Sequence, residues 1–257
     1  ASNSPKLSVG DLVAAEATWS DYITLPAHKA QKLPKVPQLS HLMSVYGIAG
    51  KTAYHGLISI GQPVAGETVL VSAAAGSVGA YVGQIAKALG CRVVGIAGGA
   101  EKCKWVQEEL GFDACVDYRE GGLSRALAEA CPDGADVYFD NVGGKVLESA
   151  LNVMNEKGRI VCCGAISQYD TDAPSGPRNL PGAIVVKRLR MEGFIVMDFA
   201  RNDAKCLRAL QHWVASGQIK VTEDIVEGLE NAPAALIGLL AGDNKGKRMV
   251  RVAADPS

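Results

Sequence analysis

The chain has 257 residues, long enough for one large domain or two unequal ones. Its 26 Lys and Arg residues against 27 Asp and Glu leave a net charge of −1, without the clustered basic excess that a nucleic-acid binder needs. Hydrophobic residues at 48% and charged ones at 21% are globular values that exclude a disordered chain, and no apolar run reaches the roughly 20 residues of a membrane span. Neither nucleic acid nor a membrane is therefore expected as a partner.

Cysteines stand at 91, 103, 115, 131, 162, 163 and 206, with no CxxC pair and no Cys/His cluster at zinc spacing. The odd count and the apolar surroundings read as reduced thiols in the cytoplasm, with no metal.

The first 45 residues hold short β-like pieces at 9–13 and 19–25 and a proline-bearing polar stretch through Pro37. From residue 67 a regular alternation sets in. Strands are expected at Thr68–Ser72, 92–96, 114–118, 137–140, 159–163 and 190–196, mostly β-branched runs without strict alternation, as in strands buried on both faces. Helices are expected near 78–89, 101–110, Leu123–Ala130, 145–154 and 204–216. Six such strands with crossovers give an α/β fold built on a Rossmann, doubly wound parallel sheet. After it come a strand at 220–226, a helix at 232–240 and a closing strand at 248–252. Residues 1–45 and 220–257 are assigned together to a smaller second domain that looks incomplete at its N-terminus, leaving 46–219 as the dinucleotide-binding domain. The irregular stretch 168–182, rich in Pro, Gly, Asp and Ser and carrying Tyr169, follows the fifth strand and reads as a lid.

The strongest chemical signal is Val69-Leu-Val-Ser-Ala-Ala-Ala-Gly76-Ser-Val-Gly79, a strand running through a glycine turn straight into a helix. That order places a pyrophosphate on the helix N-terminus, where free backbone N–H groups and the dipole favour negative charge. Ala74 occupies the first glycine position of the usual GxGxxG pattern, and a bare βα turn without a ligand has the same outline.

An NAD enzyme of this fold places an acidic residue about 20 residues further on, at the end of the second strand. Here that place reads Ile96-Ala-Gly98-Gly99-Ala100, leaving room for a 2′-phosphate that Lys102 could meet, which favours NADP. A solvated helix lysine fits Lys102 as well, and Glu101 weighs against the phosphate.

Five stretches then resemble one family. They are Gly50-Lys-Thr-Ala-Tyr54-His-Gly-Leu57, Ala73-Ala-Ala-Gly76-Ser-Val-Gly79, Phe139-Asp-Asn141-Val-Gly-Gly144, Cys163-Gly-Ala-Ile-Ser167-Gln-Tyr169 and Gly242-Asp-Asn244-Lys-Gly246-Lys247. Their order and spacing over about 45–253 resemble the zinc-independent medium-chain dehydrogenase/reductases, in the NADPH-dependent alkenal/one double-bond reductase branch that includes the prostaglandin and curcumin reductases.

The resemblance implies a GroES-like fold for the smaller domain, of which members carry a longer N-terminal part. It implies NADPH as cofactor, with Ala73, Gly76, Ser77, Val78 and Gly79 at the pyrophosphate and Lys102 and Tyr118 at the 2′-phosphate. Asn141, Cys163, Ala165, Ile166, Ser167 and Tyr169 would line the cofactor cleft, and Asn244 would meet the nicotinamide ribose. Asn141 and Asn244 could equally stabilise turns. The implied reaction is reduction of the C=C bond of α,β-unsaturated ketones or aldehydes by hydride transfer to the β-carbon.

Negative charge then develops on the carbonyl oxygen, where a hydrogen-bond donor lowers the barrier. A phenol keeps its proton at neutral pH, and Tyr169 stands at the position of the family's donor tyrosine. Tyr54 is the second catalytic candidate, more a wall of the site than a proton carrier. His55 reads as structural, and Cys162 and Cys163 as buried and inert. Met197 stands where the prostaglandin reductases have a substrate-side tyrosine, which points to a more general enone reductase. The resemblance also implies a homodimer through the sixth strand, 191–196.

Three alternatives remain open from sequence. They are a quinone oxidoreductase of the same superfamily, a non-catalytic NADPH-binding module, and a zinc alcohol dehydrogenase, for which this chain shows no ligand set.

Overall fold

The computed structural model describes residues 2–34, 36–169, 172, 173 and 175–255. In chain order the elements are β1 (Val13–Ala14), β2 (Gln31–Lys32), α1 (Ile48–His55), β3 (Thr68–Ser72), α2 (Gly79–Ala88), β4 (Arg92–Ala97), α3 (Ala100–Leu110), β5 (Ala114–Asp117) and α4 (Leu123–Ala130). They continue with β6 (Ala135–Asp140), α5 (Gly144–Val153), β7 (Met154–Cys162), α6 (Leu180–Lys187), β8 (Arg190–Gly193), α7 (Asp203–Ala215), β9 (Glu223–Glu227), α8 (Ala232–Ala241) and β10 (Lys247–Arg251).

Six parallel strands form the central sheet in the order β5-β4-β3-β6-β7-β8. The expected doubly wound sheet is thus present, and its order reverses between β3 and β6. In β3 every residue is buried, and successive side chains feed opposite layers. Val69 and Val71 pack with Tyr81, Ile85 and Leu210 on one face, while Leu70 packs with Tyr138, Leu127 and Leu151 on the other. A strand covered on both sides has no reason to alternate polar and apolar residues, which explains its unbroken apolar run.

Several boundaries differ from the sequence expectation. The β7–β8 crossover is α6, whose first residues the sequence places at the end of an irregular loop. Pro181 sits in its first turn, where a missing N–H costs nothing. The expected strand at 190–196 ends at Gly193, and Val196–Asn202 is a 3-10 turn. Phe194 instead turns its ring inward against Phe139 and Phe199, at centroid distances of 6.5 and 6.1 Å. Met154, expected to close a helix, begins β7. Of the residues at 9–13 and 19–25, only Val13 is in a strand.

At the flanks, β1 and β2 pair antiparallel and β9 and β10 pair parallel. The latter pair is fastened to α2. Gln84 donates to the Lys220 carbonyl at 3.2 Å and accepts from the Lys220 N–H at 2.7 Å. Gly246 donates to the Ala75 carbonyl at 2.8 Å. Among the described residues no helix is long and apolar enough to cross a membrane.

Candidate cofactor and active site

A cavity of about 530 Å³ opens beyond the carboxyl ends of β3, β4 and β6, at the point where the strand order reverses. Doubly wound sheets bind ligands at this place. One wall is the turn from β3 into α2, with Ala73, Gly76, Ser77, Val78 and Gly79 all on the cavity. The Gly76 N–H donates to the Ala73 carbonyl at 2.8 Å, closing the turn. A β-carbon on Gly79 would stand 2.3 Å from that same carbonyl oxygen. Only a glycine lets α2 start this close to the strand it leaves.

The loop after β6 forms the second wall and is organised by Asp140, which is 3% exposed. Its Oδ1 accepts from the Tyr138 hydroxyl at 2.8 Å, the Gly143 N–H at 2.9 Å and the Val142 N–H at 3.0 Å. Asn141 is thereby presented at the cavity, where its Nδ2 donates to the Ser72 carbonyl at 2.7 Å and joins the ends of β3 and β6. Sequence reading selected Asn141 and passed over the carboxylate that places it. Asp140→Ala strands three donors in a buried setting and is expected to lower stability by about 3 kcal/mol, read as a shift in the denaturation midpoint.

After β7 the chain returns along the same cleft. Cys163, Ile166, Ser167 and Tyr169 face the cavity. The Ser167 hydroxyl donates to the Val142 carbonyl at 2.6 Å, and Ala165, which does not line the cavity, donates its N–H to the Tyr169 hydroxyl oxygen at 3.2 Å. Tyr169 itself is 68% exposed. Burial, with the Asp140 carboxylate second, pushes the Cys163 thiol up to about 12, so it stays protonated and unreactive at neutral pH. Of the segment read as a lid, Asp170, Thr171 and Pro174 lie outside the described residues.

At the far end, Gly98, Lys102 and Tyr118 line the cavity beneath the C-terminal turn of α8. A β-carbon on Gly98 would come within 2.9 Å of the Tyr118 hydroxyl and of Arg119 Nε, so the bare glycine makes space for both side chains. Asp117 holds this corner by accepting from the Gly99 N–H at 2.8 Å and the Arg119 N–H at 2.9 Å. The Lys102 ammonium donates to the Gly242 carbonyl, and its pKa is lowered by burial and by the nearby Arg119 charge. Glu101, which weighed against a phosphate here, is instead engaged by Lys245 at 2.5 Å. Arg119 also lines the cavity, exposed and without an ion-pair partner among the described residues. Sequence reading missed it, although its place directly after Tyr118 was the available signal. Asn244, 7% exposed, reaches the cavity and donates to the Gly246 carbonyl at 2.8 Å.

Tyr54, the second catalytic candidate, is not on the cavity lining. It is 6% exposed, lies edge-on to His55 and packs toward Trp213 in the contact between α1 and α7, away from the cavity wall. Burial, with Cys206 nearby, raises its phenol pKa. His55 has the structural character expected of it. The ring is 1% exposed, stacks on Phe199 at 4.8 Å and is kept neutral by burial, with Nε2 3.6 Å from Asp203.

A doubly wound sheet whose switch point carries a glycine turn, an open helix N-terminus and a cationic far corner defines a dinucleotide-binding protein. The family model described as zinc-binding dehydrogenase matches residues 77–212. The chain is 46% identical to the NADPH-dependent curcumin reductase of Escherichia coli (strain K12), over 99% of this chain and 75% of that one. It is 44% identical to the NADP(+)-dependent 2-alkenal reductase of Nicotiana tabacum, over 98% of this chain and 74% of that one. The structure of CurA in complex with NADPH from Vibrio vulnificus superposes with a TM-score of 0.93 at 43% identity, covering 99% of this chain and 77% of that one. The chain belongs to the zinc-binding dehydrogenase family, within the medium-chain dehydrogenase/reductases.

The metal in the family's name does not fit the residues present. Among the described residues no three His, Cys, Asp or Glu side chains converge as a ligand set.

Proposed function

We propose that this chain is an NADPH-dependent reductase of the C=C bond of α,β-unsaturated ketones and aldehydes. The observation that carries this reading is one cleft, with no carboxylate on its lining, that combines the pyrophosphate turn at 73–79, a far corner lined by Lys102, Tyr118 and Arg119, and an exposed phenol at Tyr169. Its relatives among the curcumin and 2-alkenal reductases support the same chemistry.

In this reading the backbone N–H groups at the start of α2 take the pyrophosphate, and Asn141, Ser167 and Asn244 border the nicotinamide ribose. Bound NADPH supplies the hydride to the β-carbon of the enone. Tyr169 donates a hydrogen bond to the carbonyl oxygen as enolate charge grows on it, which lowers the barrier where the charge develops. Ile166 and Val142 give the cleft apolar surface for the substrate's carbon skeleton.

Lys102 and Arg119 hold the 2′-phosphate, with Tyr118 on the same stretch of the cavity lining. Neutralising either cation is expected to weaken NADPH by about 10- to 100-fold, the worth of one charge-assisted hydrogen bond, and to leave NADH unchanged. Titration of Lys102→Gln and Arg119→Gln with both cofactors checks this. Equal losses for NADPH and NADH would contradict it.

We further place the enzyme in the cytoplasm, where its seven free thiols stay reduced. Residues 1–45 and 220–257 belong in this reading to one GroES-like domain beside the dinucleotide domain at 46–219. The open edge of β8 pairs with its copy across a homodimer, covering backbone groups that a lone edge leaves free. Sedimentation at micromolar concentration tests the dimer, since a single-chain mass would exclude it.

The function itself is tested by offering NADPH with an enal, an enone, a quinone and a saturated ketone. Turnover of the enal and enone to their saturated products is expected. Turnover of the quinone alone, or of none while NADPH still binds, would replace the reading with a quinone reductase or a binding module.

A further inference from the structure

Behind the cofactor cleft, α3 and β5 bring two thiols together that play no part in the proposed reaction. The Cys115 thiol donates to the Cys103 sulfur at 3.1 Å, and both cysteines are free. Cys103 is buried and Cys115 half-buried, and a second, solvent-open cavity of about 320 Å³ is lined by both residues together with Lys104 and Glu108. A disulfide needs its sulfurs about 2.05 Å apart, so an approach of about 1 Å would join them.

The pair also sits at a sensitive place. Lys102 directly precedes Cys103, and Tyr118 and Arg119 follow Cys115 by three and four residues. The two thiols therefore lie on α3, which carries Lys102, and on β5, which runs directly into the turn that carries Tyr118 and Arg119.

We propose that Cys103 and Cys115 are a modification site, a dithiol that a hydroperoxide oxidises to an intramolecular disulfide whose formation loosens the hold on NADPH. The Cys103 sulfur, whose thiolate form is stabilised by the S–H that Cys115 donates, attacks the peroxide, breaking the O–O bond and releasing an alcohol or water, and becomes a sulfenic acid. The Cys115 sulfur then attacks that sulfur, the S–S bond forms, and the sulfenic oxygen leaves as water. Two thiols lose two electrons and two protons, and the hydroperoxide is reduced to an alcohol and water. Burial raises both thiols, which makes the oxidation slow beside that of an activated cysteine. Drawing α3 toward β5 shifts Lys102 against Tyr118 and Arg119, and groups that grip a phosphate tolerate little displacement.

The effect on NADPH rests on the cofactor reading above, whereas the disulfide does not. The test treats the full chain with tert-butyl hydroperoxide, maps peptides after blocking free thiols, and measures NADPH affinity by protein fluorescence before and after. The expected result is a peptide linking Cys103 to Cys115, with NADPH binding weakened at least about threefold and restored by dithiothreitol. Cys115→Ala should bind NADPH like the parent and lose the response to peroxide. A folded, peroxide-treated protein without the linked peptide would overturn the proposal, as would a linked protein with unchanged NADPH affinity. Failure of the reduced protein to bind NADPH would refute the cofactor reading instead, and peptide mapping would still decide the disulfide.

Discussion

Replacing Gly79 by alanine is expected to weaken NADPH binding at least about 100-fold, equivalent to about 2.7 kcal/mol. The new methyl group would stand 2.3 Å from the Ala73 carbonyl oxygen and 2.9 Å from its carbon, both backbone atoms that cannot rotate away. Either the start of α2 moves outward or the turn opens, and each displaces the N–H groups aimed at the pyrophosphate. Overpacking of this kind also costs about 1–3 kcal/mol of stability, so the measurement belongs at a temperature where circular dichroism shows the variant folded. Gly176→Ala is the control, because nothing lies within 4 Å of its added methyl. Calorimetric titration with NADPH reads the result. A folded Gly79→Ala protein that binds NADPH as the parent does would remove the turn from the cofactor site.

Tyr169→Phe has the other large effect, and it falls on the chemical step. The hydroxyl stands on the cavity wall, held by the Ala165 N–H at 3.2 Å, and this bond leaves the phenolic proton free to point elsewhere. If that proton stabilises the enolate, removing it should lower kcat about 10²-fold, at the lower end for loss of one oxyanion donor. NADPH affinity should change less than about twofold, because the interaction strengthens only as charge develops. The split between kcat and cofactor affinity excludes a packing role, since loss of a loop anchor would disturb both. A kcat within about twofold of the parent would end the catalytic assignment of Tyr169.

The sheet was legible in the sequence because strands buried on both faces need apolar, β-branched runs, and Val69, Leu70 and Val71 or Val93 and Val94 have no other reading that also precedes a glycine turn. The site's backbone was legible for a related reason. A dinucleotide turn constrains residue size at fixed spacing, and Ala74, Gly76 and Gly79 satisfy it with alanine in place of the first glycine. What escaped was set by contacts distant in sequence. Tyr54 lies on a helix, and which face of α1 meets α7 is decided by Trp213, about 160 residues away. Asp140 is one acidic residue in a strand, and only the folded loop shows it accepting from Val142, Gly143 and Tyr138. Likewise, Arg119 resembles any exposed arginine until Gly98 is seen beneath it. The helix α6 was hidden by Pro181 and Gly182 at its start, residues that punctuate loops as often as they open helices.

The atom of the substrate that receives the hydride distinguishes C=C reduction from carbonyl reduction. NADPH carrying deuterium on the transferring face of C4 should be offered with a simple enone, and the product analysed by NMR. The expected product is a saturated ketone with deuterium on the β-carbon and none on the carbonyl carbon. Deuterium on the carbonyl carbon of an allylic alcohol would contradict it and identify a carbonyl reductase built on the same cleft.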